Sequence, residues 1–123
     1  MRVALLTYST RPRGGVVHTL ALAEALAALG EDVHVWTLGR GGDTTFFRPV
    51  DHRVTVHAVP FEARDDETVG RRIVRSIDVL RSAFEQQRAS YDVVHAQDCI
   101  SANAVDRCVR TVHHLDELSL IHI

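Results

Sequence analysis

Residues 2–38, RVALLTYSTRPRGGVVHTLALAEALAALGEDVHVWTL, leave this chain few folds to choose from. They read as strand, glycine-containing loop, helix, turn and strand. The nearly continuous apolar run at 3–7 is what a strand buried on both faces of a parallel sheet requires. A helix is predicted over 16–29, directly after Gly14–Gly15, and stops at Gly30, a good left-handed cap residue. His18, Leu22, Leu26 and Leu29 fall along one stripe of it. The three leucines are expected to pack on the sheet, which leaves His18 near the strand tips. This order sets free backbone N–H groups and the positive end of a helix dipole beside the carboxyl end of a strand. Such a corner holds anionic or sugar-phosphate groups by simple electrostatics.

The remaining pattern extends the same architecture. Strands are predicted over 33–38, 53–59, 91–96 and 108–112, and a long loop, GRGGDTTFFRPVDH, separates the second from the third. Over 67–87, Val69, Ile73, Ile77, Leu80 and Phe84 recur at helical spacing. Asp65–Asp66 is the expected cap of that helix. Arg75, Asp78, Arg81 and Glu85 on its outer face are spaced for weak i,i+3 and i,i+4 pairs. A short helical or turn segment is expected over 100–106. Strands alternating with helices make an α/β, Rossmann-like, doubly wound parallel sheet the natural outcome. The chain ends without a closing helix. The expectation is therefore a domain over 1–118 followed by a truncation tail over 119–123.

A chain of 123 residues fits one domain, and 46% hydrophobic content supports a real core. The formal net charge of −2, with no basic run, argues against a nucleic-acid partner. All 14 basic residues are arginine, which reads as coding bias and not as selection for arginine chemistry. Two cysteines without metal spacing point to a reduced, cytoplasmic protein. No stretch reaches the roughly 18 apolar residues of a membrane span, which leaves peripheral membrane contact open. The histidines lack HxxxH or His-plus-Cys ligand spacing, so no metal and no cofactor is expected.

In a parallel sheet, ligands bind outside the carboxyl ends of the strands. Three predicted strands deliver polar residues to that edge. Tyr8, Arg11, Arg13, Gly14 and Gly15 follow the first, His95 to Asp98 end the fourth, and His113, His114 and Asp116 follow the fifth. Gly14–Gly15 also reads as a plain tight turn, His18 as a packed helix histidine, and Asp98 as a cap of the next helix. The corner matches neither GxGxxG nor GxxxxGK[ST].

Together these residues resemble the N-terminal domain of family 4 glycosyltransferases of the GT-B fold. The opening 2–38 is similar to that family's first strand, glycine loop, helix and second strand; YDVVHAQD resembles its fourth strand, and RTVHHLDEL its fifth, ending in a histidine. A bacterial branch carrying TYSTRPRGG, HAQDCISAN and TVHHLD looks similar as well. The resemblance implies retaining transfer of a sugar from a nucleotide-sugar donor without a metal. It implies Gly14 and Gly15, with His18, at the donor phosphates or transferred sugar, and His113 hydrogen-bonded to that sugar near the reacting centre. Tyr8, Arg11, Arg13, His95, Asp98, His114 and Asp116 would face an acceptor that is a small molecule, a glycan or lipid-linked. This chain has one residue fewer between Gly15 and His18 than many relatives, and Gln97 stands where many have a second histidine. The family's donor-binding domain with paired glutamates is expected to be absent here, so the chain alone is expected to be inactive. A nucleotide-sugar epimerase on the same scaffold and a stand-alone flavodoxin-like or regulatory binding module are the alternatives.

Overall fold

The apolar run after Met1 forms the central strand β1 (Arg2–Leu6) of a five-stranded sheet. The computed structural model describes residues 1–111. Within them β1 is followed by α1 (Gly14–Ala28), β2 (Asp32–Arg40), β3 (Val54–Phe61), α2 (Val69–Glu85), β4 (Val93–Ala96), α3 (Cys99–Ala104) and β5 (Val109–Arg110). The strand order is β3-β2-β1-β4-β5 and every pairing is parallel. This is the Rossmann-like α/β architecture expected from the sequence.

The two faces of the sheet carry separate cores. On one, Val16, Leu20, Ala23 and Ala27 of α1 cover Val3, Leu5, Val33 and Val35. On the other, Ile77, Leu80 and Phe84 of α2 cover Leu6, Trp36, Leu38 and Phe61. Coverage on both sides explains why every residue of β2 between its two ends is buried.

Several local expectations are corrected. The helix α1 begins at Gly14, so the glycine pair forms its first turn instead of a preceding loop. Its buried stripe is Val16–Leu20–Ala23–Ala27, while Leu22 and Leu26 only flank the core and Leu29 is 78% exposed. Nearly every position of GGVVHTLALAEALAA is small or apolar, so periodicity alone could not choose the face. The strand β2 runs on to Arg40, through residues the sequence assigned to a loop. Gly39 permits this, because a Cβ there would run into the backbone carbonyl oxygen of Asp43.

The cap of α2 is Thr68, whose side chain accepts from the Arg71 N–H, and not Asp65 or Asp66. Its face makes tertiary contacts in place of the expected helical pairs. Arg75 donates to the Glu67 carboxylate and the Glu62 carbonyl and lies over the Phe61 ring. Arg81 donates to the carbonyls of Asn103 and Ala104 in α3.

Candidate functional site

The chain winds outward from β1 through β2 to β3, then crosses back along α2 to lay β4 on the other side of β1. Winding therefore reverses between β1 and β4. At such a switch point the loops leave in opposite directions and open a crevice outside the strand ends, where ligands of these folds bind. Thr7 and Tyr8 follow β1, and Gln97 and Asp98 follow β4, at this switch point.

Asp98 holds the crevice together. Its Oδ2 accepts from Thr7 Oγ1 at 2.9 Å and from the Tyr8 N–H at 3.0 Å, across 90 residues of sequence. Its Oδ1 accepts from the Ser101 N–H at 2.8 Å, and its own N–H donates to Ser101 Oγ, which closes a capping box on α3. Burial pushes the Asp98 carboxyl above the usual carboxylate range, opposed by the hydrogen bonds from Ser101, Thr7 and Tyr8. One carboxylate thus caps a helix and ties the tip of β1 to the tip of β4.

Beside it Gln97 shows the opposite condition. Its backbone N–H donates to the Leu6 carbonyl at 2.9 Å, so it prolongs β4 against β1. Its side chain is fully buried, yet neither amide atom has a hydrogen-bond partner among the described residues. Leaving a buried polar group unpaired costs about 1–3 kcal/mol. Nη1 of Arg110, in β5, is likewise buried without a partner among the described residues. His95, inside β4, places Nε2 2.6 Å from Thr111 Oγ1 just beyond β5.

On the other side of the crevice stands the start of α1. Its N-cap, Arg13, makes no side-chain cap hydrogen bond, and its first turn contains no acid. Gly14 and Gly15 have no positive φ, and a Cβ at Gly14 would meet nothing within 4 Å. Neither backbone strain nor packing among the described residues explains Gly14. What the residue provides is an unobstructed approach to the helix N-terminus, the position at which anions are favoured. His18 is exposed in the next turn of the same helix.

The loop after β1 brings Tyr8, Arg11 and Arg13 together around a cavity of about 100 Å³ whose far wall is Leu38 and Arg40 of β2. Tyr8 is half-buried, and burial raises its phenol pKa while Arg13 nearby opposes the rise. The structure thus gathers Tyr8 with Asp98 at the crevice and Tyr8 with the two arginines at the cavity. His113, His114 and Asp116 lie outside the described residues. Arg40 escaped the sequence reading because the glycines around it read as loop. Gln97 was noticed only as a departure from a histidine, and its burial had no signature in the sequence. Among the described residues no group of three His, Cys, Asp or Glu could hold a metal ion, and no helix is long and apolar enough to cross a membrane.

A comparison with curated proteins returns no match to the chain. Residues 12–123 match the model of Glycosyltransferase Family 4, and the chain belongs to that family.

Proposed function

We propose that this glycosyltransferase domain is the acceptor-side half of a retaining enzyme that moves a sugar from a nucleotide-sugar donor to an acceptor without a metal. The observation that carries the reading is the uncapped, glycine-led start of α1 facing the switch-point crevice. A helix end of this kind stabilises the phosphate charge of a donor, and the missing Cβ lets the phosphate or the transferred sugar reach the backbone.

In this reading His113 hydrogen-bonds the transferred sugar near the anomeric carbon, and His95, His114 and Asp116 face the acceptor side. Asp98 acts by positioning: it fixes the tips of β1 and β4 on which the crevice depends. The donor's nucleotide is held by a second domain, so the 123-residue chain alone does not turn over.

The test is nucleotide-sugar turnover by the whole gene product, with the anomeric configuration of the product read by NMR. His113→Ala is expected to lower kcat about a hundredfold, the scale of losing a hydrogen bond made chiefly in the transition state. Nucleotide Kd should change little. An inverted product would overturn retention, unchanged turnover would remove His113 from the mechanism, and a wild-type product inert toward every nucleotide-sugar would sink the reading.

A further inference from the structure

Most carboxylate-paired arginines of this chain are held firmly: Arg48 on Glu24, Arg53 on Asp51, and Arg72 and Arg75 on Glu67. Around the cavity between the loops after β1 and β2, matters differ. Among the described residues, the side chains of Arg11, Arg13 and Arg40 form no ion pair and no hydrogen bond, although all three line that cavity. The nearby acid, Asp43, has its Oδ2 engaged by Thr10 Oγ1 at 2.8 Å.

The backbone carrying these cations is itself fixed. Thr10 is buried, and its carbonyl accepts from the Phe47 N–H at 2.9 Å, which laces the loop after β1 to the loop after β2. The Arg11 N–H donates to Ser9 Oγ at 3.0 Å, and the Arg13 N–H to the Arg11 carbonyl at 2.8 Å. Three guanidinium groups are therefore presented from an ordered cradle at the carboxyl edge of the sheet, with no ion pair to a carboxylate among the described residues. Guanidinium forks match the oxygens of phosphate in pairs, and bonds of this kind are among the stronger ones available to a protein.

The cavity's size narrows the ligand. At about 100 Å³ it is well below the roughly 300–1,000 Å³ of a pocket for a whole ligand, so it is a subsite for one terminal group. Its position narrows it further. The cavity lies on the β2 side of β1, with Leu38 and Arg40 as its wall, whereas the crevice with Gln97 lies on the β4 side.

We propose that Arg11, Arg13 and Arg40 form a subsite for the terminal phosphate of a phosphorylated acceptor, a phosphate monoester on a sugar or polyol. This rests on the reading of the domain as the acceptor side of a glycosyltransferase. A monoester fits better than a lipid phosphodiester, because a diester needs room for chain on both sides of the phosphorus.

The experiment titrates the 123-residue chain with glucose 6-phosphate, glucose, UDP and phosphatidylinositol vesicles, and follows binding by NMR and, for vesicles, by co-sedimentation. Saturable binding of glucose 6-phosphate is expected, with no binding of glucose at the same concentrations. Arg40→Gln and Arg11→Gln, both at exposed positions, should each weaken it about tenfold or more, the scale of one charge-assisted contact. Any UDP binding should be unaffected by Arg40→Gln. Absence of saturable glucose 6-phosphate binding overturns the subsite, as does binding indifferent to both substitutions. A UDP affinity that falls with Arg40→Gln assigns the arginines to the donor instead. Arginine-dependent binding to vesicles but not to glucose 6-phosphate overturns the monoester. None of these readouts depends on turnover, so a failure of the transferase reading and a failure of the subsite are separable.

Discussion

The two long helices of this chain begin in opposite ways. The start of α2 is saturated: Thr68 caps it, and the adjacent Glu67 collects hydrogen bonds from Arg72 and Arg75. The start of α1 is left open: Arg13 supplies no cap, no acid follows in its first turn, and Arg11, Arg13 and Arg40 lack carboxylate partners among the described residues. Both ends carry the same partial positive charge from aligned peptide dipoles. The same sequence thus contains a helix end that the fold neutralises and one that it does not. The neutralised end lies away from the switch point, and the open one lies beside it.

The largest test of this contrast removes what holds the open side in place. Asp98→Ala deletes the capping box of α3 and the ties to Thr7 and Tyr8, and is expected to cost about 2–4 kcal/mol. The denaturation midpoint at unchanged m-value checks it, and a loss below about 1 kcal/mol would mean that the crevice holds without Asp98. A smaller effect of opposite sign is expected from Arg13→Asp. It supplies the missing cap and a favourable charge, and should stabilise the chain by about 1 kcal/mol while weakening glucose 6-phosphate binding. A variant that is both more stable and equally able to bind would end the comparison.

The smallest effect belongs to the saturated end. The Arg75 guanidinium beside Glu67 lowers that carboxyl from its ordinary 4.5 to about 2. Its folded pKa lies below its unfolded one, so its contribution is complete above about pH 4.5 and is lost as pH falls toward about 2. Glu67→Gln should flatten the decline of the melting temperature across that window. A decline identical to wild type would show that Glu67 does not couple protonation to folding.

How far the sequence could be read depended on contrast along the chain. The strands stood out because apolar runs broke against glycine, proline and acid. The buried face of α2 was visible because arginines and acids separate Ile73, Ile77, Leu80 and Phe84. In α1 small and apolar residues surround the helix, so the stripe through Leu22, Leu26 and Leu29 was as plausible as the true one. The carboxyl edge of the sheet followed from topology alone, and the structure puts Tyr8, Arg11, Arg13 and Asp98 along it. That Asp98 caps the next helix was legible, because an acid stands directly before the segment, and the structure shows that cap. Its ties to Thr7 and Tyr8, some 90 residues away in sequence, were not. Coding bias was a sufficient account of the arginines until Arg40 was found to share a cavity with Arg11 and Arg13. Which arginines lack partners is a property of folded geometry, not of composition.

The lacing between the loops after β1 and β2 has a consequence for anyone re-engineering this domain. Thr10 grips Asp43 by side chain and Phe47 by backbone, and the carbonyl of Asp43 sits where only a glycine at 39 leaves room. The two loops therefore behave as one transplantable module. A graft that exchanges residues 41–53 but not Thr10 and Gly39 would transfer a sequence without its shape.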